Sequence, residues 1–376
     1  MNGIYYYLIA FAIIWILALV LRDKLSDHGF EINFPIIMWK TQRLRGLISR
    51  ISNFSPTFWR WFMNVGIVVA FGAMIFITWT LVSSLPSVFE TPSVSIIIPG
   101  VEMPGSSIYV PLGYGLISLA TVLIVHEFSH GIQAIGEKIS IKSIGLLLFA
   151  IIPGAFVEPD EDELKDAKRT SKLRVYAAGS IANISLAIIA IILVSMFSAA
   201  IPIYFEENGI QIDRIVSDSP SDGVLKEGMV LEAIDDYQIS NSTDYMSVVS
   251  SYSPGDNVTV KTDQGTYMIT LDKNPSNESR GFFGIQAAKH FELVNDSLGP
   301  IPWILFELVK LFQWIFVLNL GIGLFNLLPL KPLDGGHMLE TLLEYKLPEK
   351  IVKPIVNALS VVMAMIIVFS ILAGFF

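Results

Sequence analysis

Apolar residues in this chain gather into runs of about 20, the length at which an α-helix crosses the hydrocarbon core of a bilayer. Six such runs, at 4–21, 61–83, 112–136, 173–201, 298–325 and 353–376, predict six membrane-spanning helices. Between the fourth and fifth runs the pattern changes. From 205 to 292, short stretches alternate apolar and polar positions: Gln211–Val216, Met229–Ile234, Asn257–Lys261 and Thr266–Leu271. Turn signals at Ser219-Pro220, Pro254-Gly255-Asp256 and Asp263–Gly265 separate them, so a small β-rich domain is predicted there. A further apolar stretch, Ile144–Val157, is too short to span and carries Pro153-Gly154 at its middle. It predicts a re-entrant hairpin turning at that pair, with its irregular backbone lining a cavity. The chain thus divides into 1–111, an N-terminal two-helix region with loops; 112–204, the first part of a membrane core; 205–292, the β-rich domain; and 293–376, the second part of the core.

Basic residues orient the helices. The loop after the first run carries Arg22, Lys24, Lys40, Arg43, Arg45, Arg50 and Arg60, whereas Ser84–Val110 has no Lys or Arg. Lys138, Lys142, Lys165, Lys168, Arg169, Lys172 and Arg174 fall in or beside the next loop, and Lys331, Lys346 and Lys350 in the final short one. Basic and non-basic loops alternate as the positive-inside rule requires, which puts both termini and the β-rich domain outside the cytosol. The first run lacks the basic leader and small-residue cleavage site of a signal peptide and is read as a retained helix.

Composition narrows the chemistry. Of 376 residues, 53% are hydrophobic and 16% charged, and the mean hydropathy is +0.59. The net charge of −9 comes with no basic stripe, which excludes nucleic acid as a partner. With no cysteine, disulfides and thiolate ligands are excluded, so a metal would rest on imidazole and carboxylate.

Those groups meet in His126-Glu127-Phe128-Ser129-His130, at the end of the apolar run Leu119–Val125. On a helix, positions i and i+4 share a face, so both imidazoles can grip one Zn²⁺, while Glu127 can act as general base on a water. Two histidines and a glutamate in or beside hydrocarbon are costly unless paired or metal-bound. A catalytic zinc needs a third protein ligand. Asp334, in Pro332-Leu333-Asp334-Gly335-Gly336-His337, is the leading candidate, because the glycine pair after it permits close backbone approach; His337 is the alternative. His28 and His290 lie far from the motif by topology and read as solvated side chains. HEFSH ends an outside-to-inside span and Asp334 follows another, so the two meet near the cytosolic side.

Together, HEFSH at 126–130, Ala178-Gly179-Ser180-Ile181-Ala182-Asn183, and Asn326…Pro329…Pro332-Leu333-Asp334-Gly335-Gly336 resemble the site-2 proteases, the intramembrane zinc metalloproteases of regulated intramembrane proteolysis. The resemblance covers about 97–339 and includes a PDZ-like insert of the circularly permuted type, carried by Gly209-Ile210, Ser219-Pro220, Gly228-Met229 and Pro254–Asp256. It implies a multi-pass α-helical membrane protein of six helices with a re-entrant β-hairpin and an extracytoplasmic PDZ-like domain. It also implies one Zn²⁺ per chain held by His126, His130 and Asp334, with Glu127 as the catalytic carboxylate. Asn326 would polarise the scissile carbonyl or position substrate. Single-span membrane proteins would be the substrates, cut within the bilayer of a prokaryotic cell membrane. Gly105–Tyr109 is placed over the substrate entrance.

Two other readings compete. Glu158-Pro159-Asp160-Glu161-Asp162 formally supplies the downstream acidic pattern of a different membrane zincin. A zinc-binding membrane scaffold or sensor would use the same ligands without proteolysis, and Glu127 argues against it, since a scaffold needs no general base.

Overall fold

The computed structural model describes residues 4–375 apart from 43, 91, 104, 105, 107 and 276. Arg43, and Gly105 and Ser107 of the segment assigned to the substrate entrance, lie outside the described residues. The chain divides into two compact units, residues 1–195 with 308–376, and residues 196–307.

The first unit opens with α1 (Ile4–Val20), α2 (Arg22–Ser26), strands β1 (Phe30–Asn33) and β2 (Ile36–Thr41), and α3 (Arg45–Phe54). It continues through α4 (Pro56–Ser83), α5 (Leu112–Gly136), β3 (Ile141–Phe149), β4 (Ile152–Pro159), α6 (Glu161–Asp166) and α7 (Arg169–Tyr204), which runs on into the second unit. The second unit contains β5 (Phe205–Ile215), β6 (Val230–Ile234), β7 (Tyr237–Gln238), α8 (Ser242–Val249), β8 (Asn257–Thr262), β9 (Gly265–Thr270), β10 (Asp272–Asn274), β11 (Asn277–Phe282) and β12 (Ile285–Leu293). From there α9 (Ile304–Asn326) leads back to the first unit, which ends with α10 (Asp334–Leu343) and α11 (Glu349–Ala373).

Five helices among the described residues, α4, α5, α7, α9 and α11, are long and apolar enough to cross a membrane. This is a multi-pass helical membrane protein. The reading of six spans differs at the start of the chain. At 17 residues, α1 is the shorter apolar helix and reaches about 25 Å at 1.5 Å per residue. Arg22, Asp23 and Lys24 follow in α2, so charge bounds the apolar helix directly after Leu21.

Helix packing relies on small and flexible side chains. Met63, Ala70 and Met74 of α4 bury against Leu173, Ala177, Ala178 and Ile181 of α7, with Leu327 and Met338 closing the cluster. Such residues let helix backbones approach where lipid offers no hydrophobic drive for association. Outward-facing positions such as Val68 and Ile75 of α4, or Ile189 and Ile192 of α7, remain exposed.

The hairpin reading changes in two respects. β3 and β4 pair antiparallel from Ile141↔Pro159 to Phe149↔Ile152, so the turn is Ala150-Ile151 and Pro153-Gly154 lie inside β4. Val157 N–H points away from β3, and Pro153 has the same parity. A proline lacking N–H is tolerated there because that side of an edge strand has no ladder partner. Ala150 adopts φ +55°, held by its N–H donating to Pro35 (2.7 Å) and its carbonyl accepting from the Trp15 indole (2.8 Å). Second, the hairpin is half of a four-stranded sheet in the order β1-β2-β3-β4, whose first two strands come from the loop after α1. Trp15, Ala18 and Ile32 bury together and tie α1 to that sheet.

In the second unit a sheet runs β12-β5-β6-β8-β9 with β7 on β6, and β10 and β11 form a separate hairpin. Its core, including Ile212, Leu231, Ile234 and Val258, comes from the alternate positions that the sequence pattern marked. β12 and α8 extend that pattern; α8 is capped by Asn241, whose side chain accepts from the amides of Thr243 and Asp244 at 2.9 Å.

Replacing Trp15 by Phe keeps the packing and strands the Ala150 carbonyl. We expect a loss of roughly 1–3 kcal/mol, read as a lower unfolding temperature of the purified protein in detergent.

Candidate metal centre

Residue spacing on α5 puts His126, Glu127 and His130 on adjoining faces of one helix, and α10 begins at Asp334 beside them. His126 Nε2 and His130 Nε2 lie 3.2 Å apart, and each is 3.5 Å from a carboxylate oxygen of Asp334. Zinc bonds of about 2.0–2.1 Å in a tetrahedron separate ligand atoms by about 3.3–3.4 Å. The imidazoles approach different oxygens of Asp334, and one ligand atom from each residue lies within 4.8 Å of the others, close enough to close on a single Zn²⁺. The three are the described residues grouped closely enough to share a metal.

Each donor is held from behind. His130 Nδ1–H donates to the Val175 carbonyl at 2.7 Å, which leaves Nε2 free to bind a cation. Ser180 Oγ donates to Asp334 at 3.0 Å. His126 Nδ1 lies 3.2 Å from the side-chain amide of Asn183, which is wholly buried. The amide turns its Nδ2 to that nitrogen; for His126 Nε2 to offer a lone pair to a cation, Nδ1 must carry the proton, and the amide turned over would accept it through Oδ1. All three supports sit on α7, on or next to the Ala178–Asn183 motif.

Close approach explains the glycines. A Cβ on Gly179 would stand 2.5 Å from His130 Nε2 and 2.7 Å from His126 Cε1, so no other residue lets α7 lie against the imidazole pair. A Cβ on Gly335 would stand 2.2 Å from the Leu327 carbonyl oxygen, so the pair after Asp334 lets α10 start directly against the turn from α9.

A cavity of about 370 Å³ opens over the donors, lined also by Glu127, Val157, Tyr176, Asn326 and His337. Glu127 accepts from Val157 N–H at 3.1 Å, placing the carboxylate between the donors and strand β4. Asn326, the last residue of α9, faces the same cavity. His337 lines it too, but its ring stacks on Tyr176 at 5.1 Å and it stands outside the donor group. The competing acidic pattern is dispersed: Glu158 is on β4 and accepts from Ser143, while Asp160 caps α6. His28 is exposed and His290 lies in the second unit near Glu292.

A family model for peptidase family M50 matches residues 114–367. The chain belongs to that family, the site-2 protease family. Proteins similar to it include an uncharacterized protein of Methanocaldococcus jannaschii, 28% identical over 60% of this chain and 55% of that protein. A membrane-bound transcription factor site-2 protease homolog of Arabidopsis thaliana is 25% identical over 51% of this chain and 34% of its own length. A probable chloroplastic membrane metalloprotease of the same plant is 27% identical, covering 58% and 65%. The chain thus spans from about a third to under two thirds of the curated relatives it matches. Among solved structures, the PDZ domain of an SdrC-like protein from Listeria innocua is similar at 22% identity, TM-score 0.21, over 22% of this chain and 97% of that one.

Asn183→Ala should weaken zinc binding about 10- to 100-fold in a competition titration against a chromophoric chelator, because His126 loses the partner that fixes its tautomer. Gly179→Ala should weaken it at least as much.

Proposed function

We propose that this chain is an intramembrane zinc metalloprotease that hydrolyses peptide bonds within or near the transmembrane segments of membrane-protein substrates. One observation carries the reading. Two histidines of α5 and the first residue of α10 are spaced for a single Zn²⁺, and a carboxylate that is not among them faces the same cavity.

His126, His130 and Asp334 would hold the ion. When bound, Zn²⁺ supplies Lewis acidity toward a water and a peptide carbonyl. The chain's own residues carry the proton. Glu127 Oε takes it from the attacking water and delivers it to the nitrogen of the leaving amine. The Asn326 side-chain amide donates to the scissile carbonyl oxygen or to an adjacent substrate group, fixing the peptide against the cavity.

A helical substrate hides its carbonyls in i→i−4 bonds and must be opened before attack. β4 is suited to hold the opened chain. It pairs with β3 alone among the described strands, and its unpaired side faces Glu127 through Val157. Adding a substrate strand there satisfies backbone groups on both partners. Trp15, midway along α1, bonds the tip of the sheet, which supports a re-entrant position for the hairpin.

The distribution of Lys and Arg supports a metal centre near the cytosolic side, with the second unit, a PDZ-like domain, outside. Single-span proteins of the surrounding membrane are the proposed substrates, and regulated intramembrane proteolysis the proposed setting.

The test is cleavage of a tagged single-span substrate in detergent or bilayer, with zinc measured on the same preparation. Wild type should hold near one zinc per chain and cut inside the span. Glu127→Gln should keep the zinc and lose about 100- to 10,000-fold in rate. Asp334→Ala should lose both. Zinc retained with no cutting by wild type across a substrate panel would favour the scaffold reading.

A further inference from the structure

Beside the metal centre lies a second cavity that the proposed mechanism leaves unused. It holds about 740 Å³, within the usual range for ligand sites, and no ionisable side chain lines it. Ile14 and Leu17 of α1 form one wall, and Ala120, Leu123 and Ile124 of α5 form the other. Its floor is one face of the sheet. Trp39 pairs with Leu146 and Ile37 with Leu148; across β3, Leu146 pairs with Ala155 and Leu148 with Pro153. The mouth opens sideways, past Leu17, Ile124 and Leu146, each about half exposed at 52%, 50% and 53%.

Two features join this chamber to the chemistry. Leu123 and Ile124 precede Glu127 by four and three positions, so the chamber wall is the turn of α5 just before the carboxylate. On β4, Ala155 and Pro153 precede Val157 by two and four positions and share its face of the sheet. Val157 is the residue whose N–H meets Glu127. A chain laid along the open side of β4 from its turn end to Glu127 passes Pro153 and Ala155. Its side chains alternate between faces, and every second one points toward the chamber.

We infer that this chamber is a specificity subsite of the proteolytic centre, taking a large aliphatic or aromatic substrate side chain two to four residues from the scissile bond. The inference rests on the protease reading. It commits to the substrate as occupant, because the floor of the chamber continues into the strand that meets Glu127 and its half-exposed rim, Leu17, Ile124 and Leu146, is aliphatic, matching the side chains of a transmembrane segment. A wholly apolar lining selects by size and apolarity and offers no polar group to read anything else.

The experiment uses the full-length protein loaded with zinc and a panel of single-span substrates, with Leu, Phe or Ala at each of the four positions on either side of the cut. Wild type should prefer Leu or Phe over Ala by about 10- to 100-fold in kcat/KM at a position two to four residues from the bond, on one side of it. Ala120→Phe fills the chamber and should collapse that ratio to within about threefold. Leu17→Ala enlarges it and should move the preference toward Trp; if Ala120→Phe loses its zinc, this variant decides. An unchanged ratio in an active variant, or an equal fall for Leu and Ala substrates as a resident lipid tail would produce, overturns the subsite and leaves the protease standing. A wild type that binds zinc and cuts no member of the panel overturns both.

Discussion

Polar groups among apolar helices must find their partners within the protein, and this requirement governs the architecture around the metal centre. Two imidazoles and a carboxylate in near-complete burial need a cation between them and a hydrogen bond behind each. α7 supplies those bonds through the Val175 carbonyl, Ser180 and Asn183, so its position and rotation against α5 are set to within the tolerance of a hydrogen bond. Gly179 makes that approach possible, and Gly335 does the same for α10. The packing of Met63, Ala70 and Ala177 follows from helices already held at that spacing.

The sheet meets the same requirement on a larger scale. Strands beside apolar helices expose backbone donors and acceptors that lipid cannot satisfy. β1 and β2 cover one side of the hairpin, and the Ala150 turn is closed by Pro35 and Trp15. What is left open is the outer side of β4, and Glu127 accepts one of its amides. The region around α1 is thus structural support for a strand edge and for the chamber wall.

How far this was legible in the sequence depends on the range of the interaction involved. Apolar runs report the long helices directly, and α5 spans the residues expected of it, Leu112–Gly136. His126, Glu127, His130 and Asp334 stood out as metal-type side chains in spaced motifs, Asn326 only through the family resemblance, and the fold gathers all five around one cavity. Val175 and Val157 did not, since they act through main-chain groups that every residue carries. Ser180 and Asn183 stood in a recognisable motif whose task shows only when α7 lies against α5. The pairing of β2 with β3 joins segments on either side of two long helices and leaves no local trace. Pro153-Gly154 resembled a turn because proline usually breaks strands; an edge position removes that objection.

The donor set is also divided along the chain. Both imidazoles come from α5, whereas the carboxylate arrives with α10, after the whole second unit and α9. A chain emerging from the ribosome therefore carries Glu127 and two of the donors long before the third donor exists. The α7 residues that stand behind the donors are made in the interval, and Ser180 waits for Asp334 as its partner. The three-donor group therefore cannot close while the elements before α10 are being made. It closes only when Asp334, the first residue of α10, meets Ser180 of α7 and the imidazole pair.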